Sequence, residues 1–293
     1  MVLQLPATSL ATVRKRIGTG LFGLVAGPQG TTNRARIHET PGPRWYAPDR
    51  PVRRVHGDAA MFVGGLRALL LQSLHPLAMA AVAAHSGYQG DPWGRLQRTS
   101  TFLAVTTYGT AQDAQRAVNR VRAVHKHVRG SSPDGTPYEA SDPHLLRWVH
   151  VAEVDSFLYC HQRYGRKPLD DAGCDGYVAD MAVVARKLGV PDPPVNRAEL
   201  AEQLNAYRPE LRSTREARDA ARFILVQTPL PIVARPAYAL LAATAVSTLP
   251  VWARRPLRVP YLPLTEATAI RLAGVSIVGG IRWVMASGSQ PAR

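Results

Sequence analysis

Nine histidines and thirty-two arginines are the chain's main stock of chemically able side chains, and helical periodicity sorts them. Over about 111–129, Val118, Val121, His125 and Val128 recur at i, i+3, i+7 and i+10 as one buried stripe, while His127 points about 200° away from His125. An imidazole on such a stripe is either a metal ligand or a core histidine bonded to a carbonyl. Arg95, Arg98 and Thr99, at i, i+3 and i+4, share the opening face of another helix. Two guanidiniums and a hydroxyl there either converge on an anion or polarise bound oxygen, or form an exposed basic turn.

His75 lies inside the longest apolar stretch and is followed by Pro76. The proline has no N–H, so it frees the carbonyl of Gln72 and bends the helix. His75 is then either a ligand in a pocket wall or the group that satisfies the freed carbonyls. His144, His150, Glu153 and Asp155 sit on one helix, but no two histidines there stand four apart, which argues against a His-x-x-x-His metal site. Gly-x-Ser-x-Gly and Gly-Lys-Ser/Thr motifs are absent and no Gly-x-Gly-x-x-Gly follows a strand, so hydrolase and nucleotide-binding classes lack support.

The elements that must hold these groups read as helices, and no alternating run is long enough to claim a strand. Four prolines between 41 and 51 make 31–57 an irregular arm, which leads into a long Ala/Leu-rich helix over about 58–85. Further helices are predicted over about 94–107, 111–129, 170–188, 236–249 and 265–287. Asp142-Pro143 starts another, and Asn196-Arg197-Ala198-Glu199 and Ser213-Thr214-Arg215-Glu216 read as capping boxes. The expectation is an all-α chain of roughly eight to ten helices, with residues 1–57 a basic N-terminal arm and 58–293 a single helical domain.

Composition narrows the partners. A hydrophobic content of 46% in 293 residues is enough for a sizeable core and excludes disorder. Cys160 and Cys174 are the only thiols, so there is no disulfide framework and a reducing compartment fits. The net charge of +15 is concentrated at the ends: residues 1–57 carry nine bases and two acids, residues 254–293 six and one. A nearly neutral body without a basic, aromatic-laced stripe argues against nucleic acid. Leu10, Val13, Ile17, Leu21 and Leu24 at helical spacing beside Arg14, Lys15 and Arg16 make an amphipathic helix that either touches a membrane surface or packs on the body. The N-terminus does not read as a secretory signal. The uncharged stretches 68–90 and 236–253 are broken by prolines and are expected to be buried core helices rather than membrane spans.

An ordered series of short motifs adds a family. Leu66-Arg67-Ala68-Leu69-Leu70-Leu71-Gln72 with His75-Pro76, then Arg95-x-x-Arg98-Thr99, His125-x-x-Val128-x-Gly130, Tyr138-x-Ala140-x-Asp142-Pro143 and Trp148-Val149-His150 resembles the MpaB/rubber-oxygenase catalytic domain. The resemblance implies an all-α fold holding a b-type haem between core helices, and oxygenase chemistry on unsaturated, isoprenoid-like substrates with dioxygen. By position it implies His125 as the proximal iron ligand and Arg95, Arg98 and Thr99 as the distal group, with His75 the alternative haem-contacting histidine. Arg98 stands where latex clearing proteins, members of that family, carry a lysine that can itself occupy the iron. A guanidinium has no lone pair to offer, so that lysine-gated mechanism does not transfer. The expected protein is cytoplasmic and peripheral on anionic membrane, acting on a small apolar molecule; the alternative is a non-catalytic haem- or lipid-binding protein.

Overall fold

The computed structural model describes residues 9–286, so the outermost parts of the expected arm and domain, residues 1–8 and 287–293, lie outside the described residues. Helices start where a side-chain oxygen meets the free N–H groups of a first turn. Asp91 does this for α6 (Pro92–Tyr108), Thr110 for α7 (Ala111–His125), Asp142 for α8 (Pro143–Tyr164) and Asp170 for α9 (Asp171–Leu188). Asn196 caps α10 (Arg197–Ala206). The last start falls one residue later than predicted: Thr214, not Ser213, caps α11 (Arg215–Arg222).

Three more helices precede these: α1 (Leu10–Ala26), where the amphipathic spacing predicts one, and α2 (Gly30–Glu39) and α3 (Pro51–His56), which occupy most of the segment expected to be irregular. The prolines keep only the stretch around 40–50 irregular, because Pro51 sits at the first position of α3, where its missing N–H costs nothing. The long helix expected over 58–85 is two, α4 (Met61–Gln72) and α5 (Pro76–His85), bent by 108° at His75. The Gln72 carbonyl accepts from the Trp148 indole N–H at 3.1 Å and from the His75 backbone N–H at 3.3 Å, not from the His75 imidazole. The chain ends in α12 (Arg235–Thr248), α13 (Val251–Leu257) and α14 (Pro263–Met285), the last entered through a π turn at Glu266–Ile270. The fourteen helices among the described residues exceed the expected eight to ten because of this break and the structured arm.

The all-α expectation holds apart from one antiparallel hairpin, β1 (Arg129–Ser131) with β2 (Pro137–Glu139), whose turn contains Gly135 at φ +85°. The hairpin ends α7 at His125 rather than at 129, because Val128 is drawn into the hairpin's base by Ala140 N–H to Val128 O at 2.9 Å.

The core forms around α8. Trp148, Val151, Ala152 and Val154 have no exposure, and α4 and α9 both pack on the helix. Gly64 lets α4 approach closely: a Cβ there would sit 2.8 Å from Phe157 Cδ1 and 3.2 Å from Phe157 Cα. One turn on, buried Arg67 donates to Thr248 O at 2.9 Å and Ser156 Oγ at 2.7 Å and pairs with Asp155 at 2.7 Å, joining α4, α8 and α12. Cys160 and Cys174 are buried free thiols.

Of the apolar stretches expected to be core helices, α5 buries Pro76 and the four successive residues Ala78, Met79, Ala80 and Ala81, whereas α12 buries Leu241, Ala245 and Val246 but leaves Leu240 half exposed. Among the described residues, the helix long and apolar enough to cross a membrane by itself is α14, and 17% of its most apolar window is buried. We expect Gly64→Ala to destabilise the protein by about 1–3 kcal/mol, since Phe157 cannot retreat from the seam; urea unfolding followed by circular dichroism reads this, and an unchanged midpoint would remove the α4–α8 contact from the list of constraints.

Candidate active site

Helices α6, α7, α8 and α9 enclose a cavity of about 90 Å³, room for about three waters at liquid density. Spacing on each helix explains which side chains reach it. Leu146, Val149, His150 and Glu153 occupy one face of α8, at i, i+3, i+4 and i+7, and Phe102, Leu103 and Thr106 do the same on α6. Met181, Val184 and Leu188 of α9 add apolar wall. His125, the last residue of α7, and His56, the last of α3, complete the lining.

The polar groups in this wall differ in how they are held. His56 is bound at both nitrogens, by Thr107 Oγ1 at 2.8 Å and by the Tyr177 hydroxyl at 3.4 Å. His150 Nε2 is buried and has no partner among the described residues. The side chains of His125 and Glu153 likewise make no hydrogen bond within the described residues. Burial acts on all four in the direction that disfavours charge. It pushes His56 down to about 3, with His161 adding repulsion, and His150 down to about 4. It lowers His125 and pushes the Glu153 carboxyl up to about 7. At neutral pH the cavity therefore holds three neutral imidazoles and a carboxyl near its midpoint.

The expected distal group stands farther out. Arg95 and Thr99 continue the α6 face that carries Phe102, Leu103 and Thr106, one to two turns toward the N-terminus, and neither they nor Arg98 lines the cavity. Arg95 Nη1 donates to Ser86 Oγ at 2.8 Å, and burial lowers its pKa. Arg98 is exposed and pairs with Asp91 at 3.3 Å; the Thr99 hydroxyl donates to the Arg95 carbonyl at 3.0 Å. His75 lies outside this cavity, under the α4–α5 bend, with His144 and Glu210. The structure thus brings His125 together with His56, His150 and Glu153. Sequence reasoning missed His56, hidden in the proline-rich arm, and set His150 and Glu153 aside for lack of histidine spacing. The readable signal was that both share a face of α8 with Leu146 and Val149.

By donor type His125 is suited to ligate a haem iron: a neutral imidazole whose ring nitrogens have no partner among the described residues, on a largely apolar wall. By volume, 90 Å³ is well short of a macrocycle, and a wider opening between these helices would be needed to admit one.

Residues 53–283 match the family model described as ER-bound oxygenase mpaB/B'/Rubber oxygenase, catalytic domain. Uncharacterized proteins of Mycobacterium bovis and Mycobacterium tuberculosis are each 34% identical over 102 residues, which is 34% of this chain and 39% of theirs. The chain's match therefore spans about two fifths of the length of these curated relatives. No solved structure matches the chain.

The Glu153 shift has a sign that can be tested. With its pKa raised from 4.5 to about 7, its contribution to stability is complete below pH 4.5 and is lost as pH rises through 7. Glu153→Gln should therefore be more stable than wild type at pH 8, by up to about 3 kcal/mol, with the difference closing below pH 4.5. Parallel urea titrations at pH 4 and 8 measure it; equal gains at both would mean the carboxyl is not held neutral by burial.

Proposed function

The chain belongs to the mpaB/rubber-oxygenase catalytic-domain family, and from that premise we propose that it is an oxygenase working through a b-type haem on an apolar, unsaturated small molecule. The observation that carries this reading is His125: a neutral imidazole with no side-chain hydrogen bond among the described residues, lining a largely apolar interhelical cavity. His125 would hold the iron, and the bound haem supplies dioxygen activation. Phe102, Leu103, Leu146 and Met181 exclude water and favour an uncharged guest. Glu153, with its pKa near 7, holds a proton at its carboxyl that it can release or recover at neutral pH. Arg95 is suited to pair with a propionate, and Arg98 and Thr99 to donate hydrogen bonds to an anionic oxygen at the outer turn of α6.

The same protein would meet apolar substrate at a membrane surface. Helices α1 and α14 lie against each other, joined by Arg14 Nε to Trp283 O at 2.8 Å with the guanidinium over the indole ring. Both leave apolar side chains in the open: Leu10, Val13 and Ile17 on α1, Leu272, Val275 and Met285 on α14. Lys15, Arg16 and Arg271 are exposed beside them, a combination that favours anionic lipid.

A second reading, a haem- or lipid-binding protein without turnover, has in its favour the position of Arg98, engaged with Asp91 and outside the cavity. Absorption spectra and dioxygen uptake separate the two. Wild type should carry a Soret band that shifts with dithionite, and His125→Ala should lose it. Arg98→Ala should keep the band while uptake with a polyisoprenoid hydrocarbon falls at least about a hundredfold; unchanged uptake removes Arg98 from the machinery, and a protein that takes up no hemin overturns the haem. Wild type should also sediment with anionic but not zwitterionic vesicles, and failure to do so refutes the membrane contact.

A further inference from the structure

Beneath the α4–α5 bend, three side chains from separate elements converge on one point. His75 comes from the bend itself, His144 from the first turn of α8, and Glu210 from the 3-10 turn Arg208–Glu210 that follows α10. One ligand atom from each lies within 4.8 Å of the others. Glu210 Oε2 is 2.8 Å from His144 Nε2 and 3.4 Å from His75 Nε2.

The His144–Glu210 pair is an ordinary charge-assisted contact and leaves His75 unexplained. His75 is 3% exposed, and neither of its ring nitrogens makes a hydrogen bond within the described residues; its Nε2 faces Glu210 at ion-pair distance without hydrogen-bond geometry. A buried imidazole aimed at a carboxylate oxygen that a second imidazole also reaches is a set of donors arranged around a shared centre.

We propose that His75, His144 and Glu210 form a binding site for a divalent first-row cation of the Zn²⁺ class, separate from the α6–α9 cavity. Two imidazoles and one carboxylate are a donor set for zinc with a fourth position left to water. Across a tetrahedral ion with bonds of about 2.0–2.1 Å, adjacent ligand atoms stand about 3.3 Å apart. The His75–Glu210 separation of 3.4 Å already meets this, and the 2.8 Å His144–Glu210 contact has to open by about half an ångström. The two groups that must adjust are the exposed ones, at 48% and 44% side-chain exposure. His75 is held in place by Trp148 and Tyr207, whose rings lie 6.2 and 6.3 Å from its own. Outside the ligand set, the Tyr207 hydroxyl lies 3.4 Å from His144 Nδ1 and donates to the His144 carbonyl at 2.8 Å, orienting that imidazole. A bound cation would clamp the bend to α8 and to the turn after α10.

The test uses untagged full-length protein, stripped with chelator and equilibrated by dialysis against micromolar Zn²⁺, with metal counted by mass spectrometry. About one Zn²⁺ per chain is expected, with affinity at least about tenfold weaker in Glu210→Gln and in His144→Ala, both exposed positions where folding, checked by circular dichroism, is undisturbed. His127→Ala, an exposed histidine elsewhere, should bind as wild type does. Absence of bound zinc, or retention of full affinity in both triad variants, overturns the site. The readout does not involve haem, so its failure and the failure of the oxygenase reading are independent results.

Discussion

The close approach of α4 to α8 is the contact on which the rest of the molecule depends. It exists because Gly64 presents no side chain to Phe157, and it is locked by the Arg67 guanidinium, which leaves water only because Thr248, Ser156 and Asp155 replace that hydration. A charge so placed is weak evidence for stability, since desolvation offsets much of the attraction. It is strong evidence for register. Any slide of α4 along α8 would strand Arg67 among apolar groups, so the seam has one low-energy alignment.

That alignment gives α8 its double use. The helix carries His150 and Glu153 toward α6 and α7 on one face, and its first turn delivers His144 to the bend between α4 and α5. Trp148 stands within the same span, fully buried, and its indole N–H ties α8 to the last carbonyl of α4. The α6–α9 cavity and the histidine–carboxylate cluster share no residue, yet both are set by where one helix lies.

What the sequence made legible follows from locality. Helix starts were readable because a capping side chain and the N–H it serves are two or three residues apart; Asp142 and Asn196 cap as their spacing predicts. His125 was readable as inward-facing because its stripe is a property of one helix, and it does line the cavity. His56 was not, since the packing of α3 on α6, α8 and α9 carries it there. The bend at His75-Pro76 was expected, but its 108° angle and the capture of the freed carbonyl by Trp148 depend on a residue more than seventy positions away. Arg95, Arg98 and Thr99 share a turn as their spacing says, and Arg98's engagement with Asp91 is a loop contact that periodicity does not register.

The mixture of neutral imidazoles, aliphatic wall and a half-protonated carboxyl has a consequence for partitioning. Such an interior resembles octanol more than cyclohexane, mostly hydrocarbon with a few groups able to exchange a hydrogen bond. It would favour small uncharged guests with at most one polar end. Sugars, nucleotides and free carboxylates would be left behind. Discrimination of this kind comes from solvation alone, before any side chain recognises the shape of its guest.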